Sequence, residues 1–173
     1  LEWLLPGVES RFTDFLQSTF ARPFDSVIII PPVGLQLSGP QLGTFGLAKR
    51  GGKARGRVAA EILFVEYALT ALADGGLLMA VLPEGILSSA GHADFRQWLL
   101  EQAQLLAVVS LPAGTCFQGA GVRCSIVLLR KPAPVDDYPI LMADLEADGL
   151  KGDIEAVRSK LEALLMQGVA ACA

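Results

Sequence analysis

Three groups of residues in this 173-residue chain have the types and spacing for chemistry. The first is Ile30, Pro31, Pro32 and Val33, which end the apolar run of "FDSVIIIPPVG" over residues 24–34. A buried strand that stops at paired prolines and a glycine puts a loop at the carboxyl edge of a sheet, where α/β proteins bind their ligands. The prolines fix the loop's shape and remove N–H donors, leaving backbone carbonyls as its polar groups. Neither Ile30 nor Val33 adds another.

The second group is "KRGGKARGR", in which Lys49, Arg50, Lys53, Arg55 and Arg57 place five positive charges within nine residues. The net charge is -4, so the rest of the chain is more acidic still. Such a run is either a solvated loop or a phosphate-contacting surface whose binding depends steeply on salt. The third group, Ser88, Ser89, His92 and Asp94, has the residue types of a hydrolase. It is read instead as a loop and the first turn of a helix, since no separated third member orients a base.

His92 is the only histidine, and Cys116, Cys124 and Cys172 show no Cys-x-x-Cys spacing. A multi-histidine metal centre is excluded, no metal is expected, and the cysteines read as buried free thiols. No Gly-x-x-x-x-Gly-Lys-Ser/Thr motif occurs, so a P-loop is excluded as well.

The elements that must position these groups follow from hydrophobic period. Apolar residues make up 52% of the chain and charged residues 18%, which excludes a mainly disordered protein and asks for a deeply buried sheet. No apolar run is long enough to cross a membrane. "LEWLLPGVESR" has neither a basic leader nor a small-residue cleavage site, so the expectation is a cytoplasmic protein.

Phe12, Phe15, Leu16 and Phe20 predict a short amphipathic helix over residues 9–20. "FDSVIII" follows as a strand covered on both faces. Residues 34–57 read as a long mobile loop. "AAEILFVEYALTALADGG" predicts a helix over 59–76 stopped by Gly75 and Gly76, and strands are expected at 77–82, 105–112 and 121–131. A helix over 92–103 includes Trp98 as a core residue, a short strand falls within 138–145, and a terminal helix spans 153–167. This βαβ rhythm defines an α/β sheet with helices on its faces. No helix fits between the last two of the main strands, which makes them an antiparallel pair at one end of the sheet. One domain over residues 1–150 is expected, followed by a C-terminal helix and tail over 151–173.

The order of these pieces resembles the adenine-N6 DNA methyltransferases, most closely the modification subunits of type I restriction-modification systems. Phe24-Asp25, Pro31-Pro32-Val33-Gly34, "AEILFVEYALTAL", "GGLLMAVLPEGIL", "FRQWLLE", "VVSLPAGTCF" and "GVRCSIVLLRK" stand in the family's order over about residues 24–131. The resemblance implies a partial Rossmann-like S-adenosylmethionine-dependent methyltransferase fold with three α/β/α layers. It also implies transfer of a methyl group to an adenine flipped out of double-stranded DNA.

In that family the position before the paired prolines carries an Asn or Asp whose side chain, with the next backbone carbonyl, accepts hydrogen bonds from the adenine amine. The residue after the prolines is an aromatic that stacks on the base. Here those positions hold Ile30 and Val33, and the chain contains no asparagine. Stacking is worth about 1–3 kcal/mol per base and an oriented polar partner a similar amount, so the expectation is a catalytically impaired loop.

The resemblance places the family's Gly-x-Gly cofactor loop well upstream of the paired prolines, so this chain alone is not expected to bind S-adenosylmethionine. The matched segment is the second half of the fold. Its partners would be the missing N-terminal half, restriction-modification subunits and DNA met by residues 49–57. Strand 27–30, deprived of its neighbour, is expected at an open edge covered by the N-terminal segment or by a second copy in a homodimer. The alternative is a non-catalytic DNA-binding or subunit-scaffolding module on the same fold.

Overall fold

The computed structural model describes residues 14–50, 53–116, 121–132, 138–145 and 150–170. The chain runs through β1 (Phe24–Ile29), β2 (Gln36–Leu37), β3 (Lys49–Arg50), β4 (Lys53–Ala54) and β5 (Val58–Ala59) into α1 (Ala60–Ala71). It continues through β6 (Leu72–Pro83), α2 (Glu84–Ser88), α3 (Ala93–Gln102), β7 (Gln104–Ser110), β8 (Cys124–Arg130), β9 (Leu141–Asp144) and α4 (Leu150–Ala170).

Five strands form one sheet in the order β1-β6-β8-β7-β9. β1 and β6 are parallel, as are β7 and β9, while β8 runs antiparallel between β6 and β7. The expected antiparallel pair is therefore present, and the expected short strand near 138–145 becomes β9 beside it.

Period-two alternation along β6 divides the sheet's two faces. Leu78, Ala80 and Leu82 join the main core with Leu63, Leu69, Phe95 and Leu99 from α1 and α3. Leu77 and Met79 point the other way, toward Leu106, Ala107 and Leu128 and the α4 residues Leu161, Leu164 and Leu165. Helices thus cover both faces, giving the three layers.

Several local expectations are corrected. The described part of residues 34–57 is not a structureless loop: β2 pairs with β5, β3 pairs with β4, and Pro40–Thr44 forms a 3-10 turn. Leu42, Phe45, Leu47 and Ala48 from this segment are buried in the main core, which is what fixes it. The segment's scarce apolar residues fall at irregular intervals, so no period revealed them.

The helix expected over 9–20 is, in its described part, only the 3-10 turn Phe15–Gln17 capped by Asp14; residues 9–13 lie outside the described residues. Helix α1 ends at Ala71, before Gly75 and Gly76. The glycines belong instead to an irregularity in β6, where the register with β1 jumps from Phe24↔Leu72 to Ser26↔Leu77.

Strand β1 is not covered on both faces. Ile29 is buried against α1, whereas Ile28 and Ile30 on the opposite face are 67% and 65% exposed. Helix α4 packs near β7 and β9, and among the described residues no element covers that face of β1 or pairs with its outer edge. Among the described residues the outer edge of β1 has no partner; the expected cover by the N-terminal segment falls largely on residues 1–13, which lie outside the described residues. Of the N-terminal segment, Phe20 meets Phe24 edge-to-face at 5.0 Å and Phe15 stacks on Phe64 at 5.3 Å, which shields only the beginning of the strand.

Candidate base-binding loop and basic hairpin

The Ile30-to-Gly34 loop leaves the carboxyl end of β1, where the sheet's topology places a ligand site. Pro31 is buried and anchors the loop, Pro32 is exposed, and Val33 is half-buried. Gly34 adopts φ +75, a left-handed conformation that glycine takes without steric cost, and this turns the chain toward β2.

A carboxylate missing from the sequence reading holds this turn. Glu61, in the first turn of α1, is 2% exposed, and its Oε1 accepts the Gly34 N–H at 2.8 Å. Next to it the Ala60 N–H donates to the Leu35 carbonyl at 2.8 Å. The other oxygen of Glu61 is buried and has no hydrogen-bond partner. A charged residue amid the apolar "AAEILF" was the available signal, since a carboxylate on the inward face of a helix requires a donor.

The neighbouring strand ends bring further groups to this edge. Pro83 at the end of β6 lies opposite Cys124 at the start of β8. Burial pushes the Cys124 thiol up to about 11, reinforced by Cys116 and by the carboxylates of Glu84 and Glu61. Arg123 bridges Glu84 at 3.4 Å and Asp144 at 3.6 Å, all partly solvated, so these ion pairs contribute little stability. Cys116 and Cys124 are free thiols, but only Cys124 is buried as expected, Cys116 being half-buried; Cys172 lies outside the described residues. Among the described residues no cluster of metal-ligating side chains occurs.

Beside Pro32 lies a cavity of about 940 Å³ lined by residues of the 14–19 segment, of the 35–45 segment and of α1. Phe45, Phe64 and Tyr67 wall it, so aromatic rings border the loop although Val33 has none.

The basic run does not stay together. Lys49, Lys53 and Arg57 are exposed, whereas the guanidinium of Arg55 is bonded to the carboxylate of Asp94 at the start of α3. The side chain of Arg50 lies outside the described residues. Ser88 and Ser89 flank the end of α2, and the Ser88 hydroxyl donates to its own helix at the Glu84 carbonyl. With Asp94 held by Arg55, no hydrolytic arrangement forms.

Among the described residues no strand lies beyond β1 in the sheet.

An α/β/α sheet with one antiparallel strand inserted near its end and a Pro-Pro loop at the carboxyl edge defines the methyltransferase class of fold. The model of the N-6 DNA Methylase family matches residues 10–167, and the chain belongs to that family. A comparison with curated proteins gave no significant match.

Solved structures agree on the fold. A Listeria monocytogenes protein provisionally described as a class I S-adenosylmethionine-dependent methyltransferase superposes with a TM-score of 0.68 at 24% identity, over 87% of this chain and 45% of that one. The type I restriction-modification methyltransferase subunit of Streptococcus thermophilus gives 0.62 at 20% identity, over 84% and 35%. A chain from a structure of type I restriction-modification complex assembly gives 0.58 at 28% identity, over 76% and 26%. This chain therefore spans less than half the length of each of these structures.

Proposed function

We propose that this chain is the target-base half of a DNA adenine-N6 methyltransferase of the restriction-modification type, with a base-binding loop that is catalytically impaired. The observation that carries the reading is the pair Ile30 and Val33 on a loop held by Pro31, Gly34 and Glu61. Pro31 is buried, Gly34 turns, and Glu61 clamps the turn, yet the flanking side chains offer neither an acceptor for an adenine amine nor a ring to stack on it. An amine held only by a proline carbonyl is poorly oriented, and orientation supplies much of the rate in such a reaction.

The cofactor would come with the half of the fold that seats on β1. The bare edge of β1 and its uncovered Ile28 and Ile30 support that partner, because backbone and apolar side chains are open together. A second copy of this chain is the other candidate occupant. Light scattering separates the two, since a monomeric chain with β1 open rules out the homodimer.

A second reading, a DNA-binding or subunit-scaffolding module without catalysis, is favoured by the exposed Lys49, Lys53 and Arg57. Calorimetric titration with S-adenosylmethionine and a methyl-transfer assay on adenine-containing duplex DNA test both readings. The expected results are no binding and no transfer by this chain alone. Tight binding would overturn the assignment of the cofactor site to the other half, and transfer would overturn the impairment.

A further inference from the structure

We propose that residues 46–50 and 53–55 form an anchored cationic hairpin for the phosphate backbone of duplex DNA, in which Arg55 is a positioning residue held by Asp94 and not a phosphate contact. The proposal rests on the reading of the basic run as a DNA-facing surface and assigns different work to charges that the sequence presents as equivalent.

The hairpin is a two-stranded ladder with Lys49 opposite Ala54 and Arg50 opposite Lys53. Two residues per strand cannot hold themselves together in water, and like charges directly opposite one another destabilise a pair further. Both roots of the ladder are nevertheless tied to helices. On the incoming side, Glu66 of α1 accepts the N–H groups of Gly46 at 2.6 Å and Leu47 at 3.1 Å, and Leu47 and Ala48 are buried.

On the outgoing side, the Arg55 N–H donates to the Ala48 carbonyl at 2.8 Å and its guanidinium binds Asp94. The Arg55 and Asp94 side chains are only 19% and 31% exposed, so water screens the pair weakly and a phosphate cannot readily displace the carboxylate. Two carboxylates on two helices thus hold a ladder whose exposed Lys49 and Lys53 point outward. The exposed Lys49 and Lys53 would suit an anionic backbone, and the family's DNA chemistry favours a nucleic acid as its source.

The sign of the Asp94 effect decides the matter. Binding of a fluorescein-labelled duplex by the full chain is followed by anisotropy across a salt series, for the wild type, Lys49→Gln with Lys53→Gln, Arg55→Gln, Asp94→Asn, and the reversed pair Arg55→Asp with Asp94→Arg. Losing Lys49 and Lys53 should flatten the log–log salt slope by about 1.8, at roughly 0.9 per phosphate contact. Asp94→Asn removes a negative charge, which would ordinarily tighten DNA binding, yet here it should weaken binding several-fold with little change in slope. The reversed pair should recover most of the loss.

Hydrogen exchange without DNA supplies an independent reading: amides of Lys49 to Ala54 should exchange faster in Asp94→Asn and be restored in the reversed pair. Tighter DNA binding by Asp94→Asn, or a slope reduced by about 0.9 in Arg55→Gln, would make Arg55 itself a phosphate contact and overturn the proposal. Unchanged exchange in Asp94→Asn would overturn the anchoring role. No salt-sensitive binding by the wild type, with the exchange result as expected, would overturn the DNA reading alone.

Discussion

The side chain of Glu61 reaches across 27 residues of sequence to accept the N–H of Gly34 at 2.8 Å, and its second oxygen is buried without a partner. The first contact holds the turn that follows the paired prolines, while the second oxygen contributes a desolvation cost. Glu61→Gln keeps a carbonyl acceptor for Gly34 and removes the buried charge. Glu61→Ala leaves the Gly34 N–H without its acceptor and opens a cavity. The alanine variant should lose about 1–3 kcal/mol in urea denaturation and accelerate exchange at Gly34, while the glutamine variant should match or exceed the wild type. Equal losses in both would mean that the charge itself, and not the hydrogen bond, holds the turn.

Adjacent isoleucines, one closing β1 and one opening the loop after it, should respond in opposite ways. Ile29 is 7% exposed in the main core, and Ile29→Ala should cost about 2–5 kcal/mol. Ile30 is 65% exposed, and Ile30→Asn, which places an amide acceptor there, should change stability by no more than about 0.5 kcal/mol. Thermal and urea unfolding of the two variants check this. A large loss in Ile30→Asn would show that another surface covers this face of β1 in solution.

Strands and helices of the sheet were legible because their signals are local. Residues 77–82 and 153–167 form the strand and helix that their patterns predict, inside the longer β6 and α4. Residues 34–57 were not legible, because Leu42, Phe45 and Leu47 are fixed by contacts with α1 and not by a period of their own. Phe15 was likewise expected on a helix and instead serves as an aromatic contact for Phe64 and Tyr67. At the site, the place of the Pro-Pro loop could be read directly, since an apolar run ending in prolines marks a strand end. Glu61, Glu66 and the pairing of Arg55 with Asp94 could not, because each links positions far apart in sequence through a single hydrogen bond or ion pair.

Two glycines with opposite surroundings test the irregular start of β6. A Cβ on Gly76 would lie 2.8 Å from the Ala73 carbonyl oxygen and 3.2 Å from that of Asp25, both backbone atoms that cannot swing away. A Cβ on Gly43 would meet nothing within 4 Å. Gly76→Ala should therefore destabilise by about 1–3 kcal/mol through overpacking between β1 and β6. Gly43→Ala should be within about 0.5 kcal/mol of the wild type. Chemical denaturation of both variants measures the difference, and near-equal stabilities would show that β1 and β6 separate readily at this point.

Cys124 predicts how stability falls at alkaline pH. Its thiol is raised from 9.0 to about 11, first by burial and then by Cys116 and the nearby carboxylates. The folded chain therefore holds the Cys124 proton more tightly than the unfolded chain. Between about pH 9 and 11 the unfolded state binds fewer protons, so stability declines as pH rises. The contribution is fully present below pH 9 and is lost as pH passes through the folded value of about 11. At 1.36 kcal/mol per unit, the loss from this residue is at most about 3 kcal/mol. Urea denaturation of wild type and Cys124→Ala at pH 7.5, 9 and 10.5, under reducing conditions, should show a steeper decline in the wild type. Parallel curves would mean that the buried thiol titrates at its ordinary value and that the carboxyl edge between Pro83 and Cys124 is open to water.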